Sequence, residues 1–207
     1  MNSLQQMDKM SLYHYLFENL NQRCSPSHLV PNHLGEPMNS IDVFTTALSY
    51  EANIRDLYRQ AATTIDDERG KAIFSALADD EQNHINFLYY SIDQLQANQA
   101  IDLNKLQTSI PDRDSFEPKI ESMKSKIPER MLGDIKTVLN SALKMEKETS
   151  DYYRLAISKT EGNIRKIFKK FLEIEIRHED VVQIELDHAS HNGIWFNFME
   201  IDLEAPD

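Results

Sequence analysis

Residues 38–110 and 129–205 contain no proline, although the 207-residue chain has seven. Pro26, Pro31 and Pro37 precede the first stretch, Pro111, Pro118 and Pro128 separate the two, and Pro206 follows the second. Proline removes a backbone donor and clashes with the preceding turn, so long helices need stretches of this kind. In both stretches β-branched runs and strict alternation are scarce, while Ala, Leu, Glu, Lys and Gln are plentiful. The pattern predicts an all-α chain.

Local breakers divide each stretch. Asp66-Asp67 splits the first into helices at about 40–65 and 67–97, with Ser40 as an N-cap. Thr160-Glu161-Gly162-Asn163 splits the second into helices at about 129–159 and 163–190, with Pro128 at a first helical position and Gly193 as the stop. Asn98 to Ile127 is a long connection, which an up-down bundle would not need. The expected architecture is a four-helix bundle made of two helical hairpins and one long crossover. Residues 1–39 are expected to hold a short amphipathic helix (Ser11–Leu20) and a loop, residues 40–190 the bundle, and residues 191–207 a tail. That tail carries Trp195, Phe196, Phe198, Met199, Ile201 and Leu203, and its apolar side chains are expected to pack on the bundle or a second subunit.

Composition narrows the function. Lys and Arg number 22 against 34 Asp and Glu, a net charge of −12, which repels phosphates and argues against nucleic acid. Cys24 is the only cysteine, so an internal disulfide, a thiolate zinc site and a four-thiolate iron site are all excluded. No apolar run approaches the ~20 residues that span a bilayer, and the first residues lack a secretory apolar core. A cytoplasmic protein without membrane attachment is expected.

The two hairpins repeat each other. Ala47-Leu48-Ser49-Tyr50-Glu51 with Tyr58 parallels Ala142-Leu143-Lys144-Met145-Glu146 with Tyr153, and Phe74 with Glu81-Gln82-Asn83-His84 parallels Phe168 with Glu175-Ile176-Arg177-His178. A duplicated helix pair is the economical account. Helical residues seven apart return to nearly the same face. Glu51 thereby lies between Phe44 and Tyr58, Glu81 among Phe74, Leu77 and Leu88, Glu146 between Leu139 and Tyr153, and Glu175 among Phe168, Phe171 and Val182. Each acid sits within the apolar stripe that should be buried.

A buried, uncompensated carboxylate costs several kcal/mol, so four together require protonation, buried cations or metal. Arg55 is the only basic residue well placed on these stripes, and one positive charge cannot balance four negative ones. Two divalent cations can. The Glu-x-x-His spacing sets His84 beside Glu81 and His178 beside Glu175 on one helix face. Carboxylates with imidazole suit iron or manganese. The motif is short, and a third copy, Glu185-Leu186-Asp187-His188, points about 80° away from Glu175. With His191 it is expected to form a solvated C-terminal turn favoured by the helix dipole.

The doubled motif resembles the rubrerythrin-like branch of the ferritin-like superfamily over about residues 40–190. The resemblance implies a ferritin-like bundle holding two iron ions, with manganese as the alternative. Glu81 and Glu175 resemble the bridging carboxylates, Glu51 and Glu146 the terminal ones, and His84 and His178 one imidazole per iron. Tyr58 and Tyr153 resemble tyrosines that hydrogen-bond ligand carboxylates and orient them; filling core space is the competing reading. Two departures stand out. Thr149 occupies the position where rubrerythrins often carry an extra glutamate, with Glu148 one place off, and no rubredoxin domain accompanies the bundle.

What the resemblance implies is a di-iron oxidoreductase of peroxidase or ferroxidase type, reacting ferrous iron with peroxide or dioxygen and drawing electrons from a separate protein. A non-catalytic iron-binding or iron-sensing protein and a di-iron substrate hydroxylase are the alternatives. A homodimer is expected from the apolar termini and from the family.

Overall fold

The structure, a computed structural model, describes residues 40–112, 125–196 and 198–200. The expected N-terminal helix, Cys24, Ile201 and Leu203 lie outside these residues. Four long helices dominate the rest: α1 (Ser40–Thr64), α2 (Glu68–Gln96), α3 (Leu132–Lys159) and α4 (Gly162–Asn192). Packing is tightest between α1 and α2 and between α3 and α4, and α1 also packs on α3. Two hairpins laid together form a four-helix bundle.

The breakers act much as their chemistry dictates. Asp67 caps α2, its carboxylate accepting from Gly70 N at 2.8 Å. Gly162 (φ 59°) and Gly193 (φ 61°) adopt left-handed backbone at the two ends of α4, where a Cβ is disfavoured. Two expected boundaries shift. Ser40 is the first residue of α1 rather than the one before it. Pro128 precedes a single 3-10 turn (Glu129–Met131), and the α-helix begins only at Leu132.

Apolar side chains fill the space between the hairpins. Phe44, Tyr58, Phe74, Tyr153, Phe168 and Phe171 are fully buried. Phe44 meets Phe168 at 4.9 Å between ring centroids, and Tyr153 stacks on Phe171 at 5.0 Å. Aromatic pairs at such spacings add to the stabilisation from burial alone. They form layers on either side of the level at which the acids enter.

The crossover lies against the bundle. Leu106 and Ile110 are buried, Lys170 Nζ donates to Leu103 O at 3.2 Å, and Ser109 N donates to Asp80 Oδ1 at 2.7 Å. Its far end forms a two-residue strand, β1 (Ser125–Lys126), antiparallel to β2 (Ile194–Trp195), with Ser125 opposite Trp195 and Lys126 opposite Ile194. Beyond β2 a 3-10 turn covers Phe198–Glu200. Trp195, Phe196 and Phe198 are buried, so this part of the tail packs on its own bundle. Trp195 meets Phe74 edge-on at 6.1 Å.

Candidate metal centre

Each helix supplies its share of the site from a helical stripe. α1 brings Glu51 and Tyr58, α2 brings Asp80, Glu81 and His84, α3 brings Glu146 and Tyr153, and α4 brings Glu175 and His178. All of them are fully buried. The six expected ligands converge as two groups: Glu51, Glu81, His84 and Glu175 in one, Glu81, Glu146, Glu175 and His178 in the other. Within each group, one nitrogen or carboxylate oxygen per residue lies within 4.8 Å of the others. Glu81 and Glu175 belong to both.

The imidazoles are oriented by distances on both faces. His84 Nδ1 lies 3.1 Å from Glu51 Oε2 and from Glu81 Oε2, and 3.5 Å from Glu175 Oε1. His178 Nδ1 lies 2.6 Å from Glu81 Oε1 and 3.6 Å from Glu146 Oε1. The opposite nitrogens face Asp80: His178 Nε2 is 3.0 Å and His84 Nε2 is 3.5 Å from Asp80 Oδ2. The rings lie 5.3 Å apart.

The tyrosines cross between the repeats. Tyr58 on α1 donates to Glu146 Oε1 on α3, and Tyr153 on α3 donates to Glu51 Oε1 on α1. Both rings also fill core space, so the two readings of these residues coexist. Arg55 does not reach the acids; its guanidinium binds Asp56 at 2.7 Å and Gln82 at 3.2 Å near the surface. Among the described residues no lysine or arginine is buried against this cluster.

Burial and the neighbouring charges shape the protonation of the metal-free chain. Burial, reinforced by Glu81, raises the Glu51 carboxyl to about 8. Burial likewise raises Glu175 far above the usual carboxylate range, and it raises Glu146. Burial acts the same way on Glu81, but His178 and His84 outweigh it and hold that carboxyl low. Burial disfavours both imidazolium ions; Glu51 and Glu81 beside His84, and Glu81 and Asp80 beside His178, nevertheless push them well above the usual histidine value. Without metal, the cluster is neutralised by protons.

Those protons leave the donor set incompletely used. Among the described residues, Glu81 Oε1, Glu146 Oε2, both Glu175 oxygens, His178 Nδ1 and His84 Nε2 are buried without a hydrogen-bond partner. Each such atom costs roughly 1–3 kcal/mol. Four of the six are carboxylate oxygens facing a shared space with an imidazole nitrogen, an oxygen-and-nitrogen set that fits hard or borderline divalent cations. The residues present fit a metal centre.

Sequence reasoning missed Asp80, the residue before Glu81, which joins His84 and His178 in a third cluster. The signal was present: Asp80 and His84 are four apart on one helix face. Sequence reasoning also misplaced Glu185. It is not solvated but fully buried, its carboxylate accepting from Phe196 N at 2.9 Å and Phe198 N at 3.4 Å. The returning tail presents backbone donors that need an acceptor, and periodicity within α4 carries no information about that return. His188 is half-buried with its ring 5.3 Å from Phe196, whereas His191 is exposed as expected. Thr149 is buried and donates to Met145 O at 3.0 Å, and Glu148 turns away, 3.7 Å from Lys144 Nζ.

Fold and site together define a ferritin-like bundle with a carboxylate–histidine centre capable of holding metal. Comparison with protein-family models matches residues 42–186 to the family described as Rubrerythrin. The chain belongs to the rubrerythrin family. Comparisons with curated proteins and with solved structures give no match.

Proposed function

We propose that this chain is a non-haem di-iron protein that reacts ferrous iron with peroxide or dioxygen, in oxidative-stress defence or iron handling in the cytoplasm. The observation that carries the reading is the pair of overlapping ligand groups that share Glu81 and Glu175. In this reading Glu81 and Glu175 would serve both metal positions, Glu51 and His84 would complete one, and Glu146 and His178 would complete the other. Manganese is the alternative metal for the same donors.

Ferrous iron held by these residues would supply the oxidant with electrons, one from each ion. The protein's own contribution is geometric and electrostatic. Tyr58 and Tyr153 hold one oxygen of Glu146 and of Glu51, which fixes how each carboxylate turns. Phe44, Phe74, Phe168 and Phe171 surround the acids and exclude water. Asp80 faces the outer nitrogen of both imidazoles, bonded to His178 Nε2 and 3.5 Å from His84 Nε2, which leaves Nδ1 of each ring toward the acids.

The test is metal analysis of protein purified without chelator, followed by anaerobic loading with ferrous iron and addition of peroxide. Two metals per chain and oxidation of the ferrous iron are expected. A chain that takes up no metal, or loaded iron that peroxide leaves ferrous, overturns the reading. In this reading repeated turnover draws on a separate electron-donor protein.

One observation favours a second reading, a non-catalytic iron-binding or iron-sensing protein. Thr149 spends its hydroxyl on the carbonyl of its own helix and adds no further carboxylate to the centre. A reaction that stops after one cycle despite an added electron donor supports that reading over turnover. A homodimer belongs to either reading, with Tyr89, Ile176 and Met199 as apolar surface; sedimentation reads the mass directly.

A further inference from the structure

The repeat is broken at one place where the structure has a use for it. Asp80 immediately precedes Glu81, but the matching position before Glu175 is Ile174. One carboxylate therefore faces two imidazoles, with Oδ2 3.0 Å from His178 Nε2 and 3.5 Å from His84 Nε2. A buried carboxylate in this position must itself be held.

Besides the imidazoles, its hydrogen-bond donors come from the crossover. Thr108 Oγ1 donates to Asp80 Oδ2 at 2.6 Å, and Ser109 donates to Oδ1 twice, from its backbone N at 2.7 Å and its hydroxyl at 2.9 Å. Thr108 Oγ1 in turn accepts from Ile110 N at 3.0 Å, which fixes the direction of its own proton toward Asp80. Leu106 and Ile110, buried on either side, anchor the turn. Both oxygens of Asp80 are thus occupied by hydrogen-bond donors, which marks it as a hub that orients rings rather than a ligand.

We infer that the Thr108-Ser109 turn of the crossover, acting through Asp80, positions both imidazoles of the metal centre. Asp80 Oδ2 bonds His178 Nε2 and stands 3.5 Å from His84 Nε2, and Nδ1 is thereby the atom each ring turns toward the four glutamates. The turn holds Asp80 from the crossover, so two hydroxyls that touch no ligand set the aim of two imidazoles. Groups that orient metal-bound histidines typically change metal affinity by about 10–100-fold when removed. This inference rests on the metal-centre reading above.

The probe is cobalt(II), titrated into metal-free protein in competition with a chelator, with NMR of the paramagnetically shifted imidazole N–H protons of the loaded chain. Wild type is expected to show two such N–H resonances protected from solvent exchange. Asp80→Asn is expected to bind cobalt about 10–100-fold more weakly and to shift both resonances. Thr108→Val combined with Ser109→Ala, remote from the ligands, is expected to lose about threefold to tenfold in affinity and to speed exchange of both protons. Thr108→Ser, which keeps the hydroxyl, is expected to behave as wild type. If the double variant does not fold, Ser109→Ala alone reads the same resonances.

Variants that match wild type in affinity and in both resonances overturn the role of the turn while leaving the metal centre standing. Weaker binding with both imidazole protons unchanged also overturns it, because that pattern marks general destabilisation. Wild-type protein that binds no cobalt overturns the metal-centre reading itself.

Discussion

The indole nitrogen of Trp195 donates to Asp67 Oδ1 at 2.9 Å, the same oxygen that accepts from Gly70 N at 2.8 Å. One carboxylate thereby caps α2 and holds the returning tail. The indole lies where a side chain on residue 70 would be: a Cβ there would come within 2.7 Å of Trp195 Cζ2 and 3.0 Å of Ile65 Cγ2. Gly70→Ala sets a helix-propensity gain of about 1 kcal/mol against overpacking of about 1–3 kcal/mol. A net loss of stability is expected in urea denaturation, and Trp195→Ala is expected to cost about 3–5 kcal/mol. An alanine variant as stable as wild type would show that the indole moves aside freely.

Tyr58→Phe and Tyr153→Phe separate orientation from core filling. Each keeps the ring and removes the donor to Glu146 or Glu51. Metal affinity is expected to fall about tenfold in each, by similar factors because the two positions are equivalent in the repeat. Chelator competition measures this. Unchanged affinity in both variants would leave the tyrosines with core filling alone.

Glu185→Ala removes the acceptor for Phe196 N and Phe198 N. Each buried N–H left without a partner costs about 1–3 kcal/mol, so a clear drop in Tm is expected. Metal content should not change, because Glu185 belongs to neither ligand group. A drop in metal content at unchanged Tm would mean that this acid communicates with the centre.

Stability of the metal-free chain should fall as pH rises. Glu51 has a folded value of about 8, above its unfolded value of 4.5. Its contribution is complete below about 4.5 and is lost as pH climbs through 8. His84 and His178 are raised as well, so their contribution is present below 6.5 and is lost at higher pH. Asp80 and Glu81 are lowered and act oppositely, losing their contribution only in strong acid. Denaturation midpoints measured from pH 5 to 9 should decline. Metal uptake must expel these protons, so affinity should rise over the same range, with net proton release seen by calorimetry in buffers of different ionisation enthalpy. A metal-free chain whose stability increases toward pH 9 would contradict the protonation described here.

Much of the site was legible because its information is periodic. Glu51, Glu81, Glu146 and Glu175 each sit seven residues from an aromatic on the same face, and that spacing alone forces them inward once a helix forms. The i, i+3 spacing then carries His84 and His178 with their acids. Asp80 was legible only in its i, i+4 spacing to His84; its partners Thr108 and His178 lie 28 and 98 positions away, a separation at which no local period operates. Glu185 failed for a similar reason, its partners being backbone groups of the tail. Backbone donors have no letter of their own in a sequence. The start of α3 was placed early because Pro128 is equally compatible with the 3-10 turn that follows it.

The exchanged tyrosine bonds mean that neither hairpin is chemically self-sufficient. Glu51 depends on a hydroxyl from the second half of the repeat and Glu146 on one from the first, and each group of ligands borrows a carboxylate across the divide. An isolated hairpin could complete such a set only by meeting its own twin around a two-fold axis. The chain carries that meeting within one polypeptide, which freed its halves to diverge: a single aspartate on one side, an isoleucine on the other.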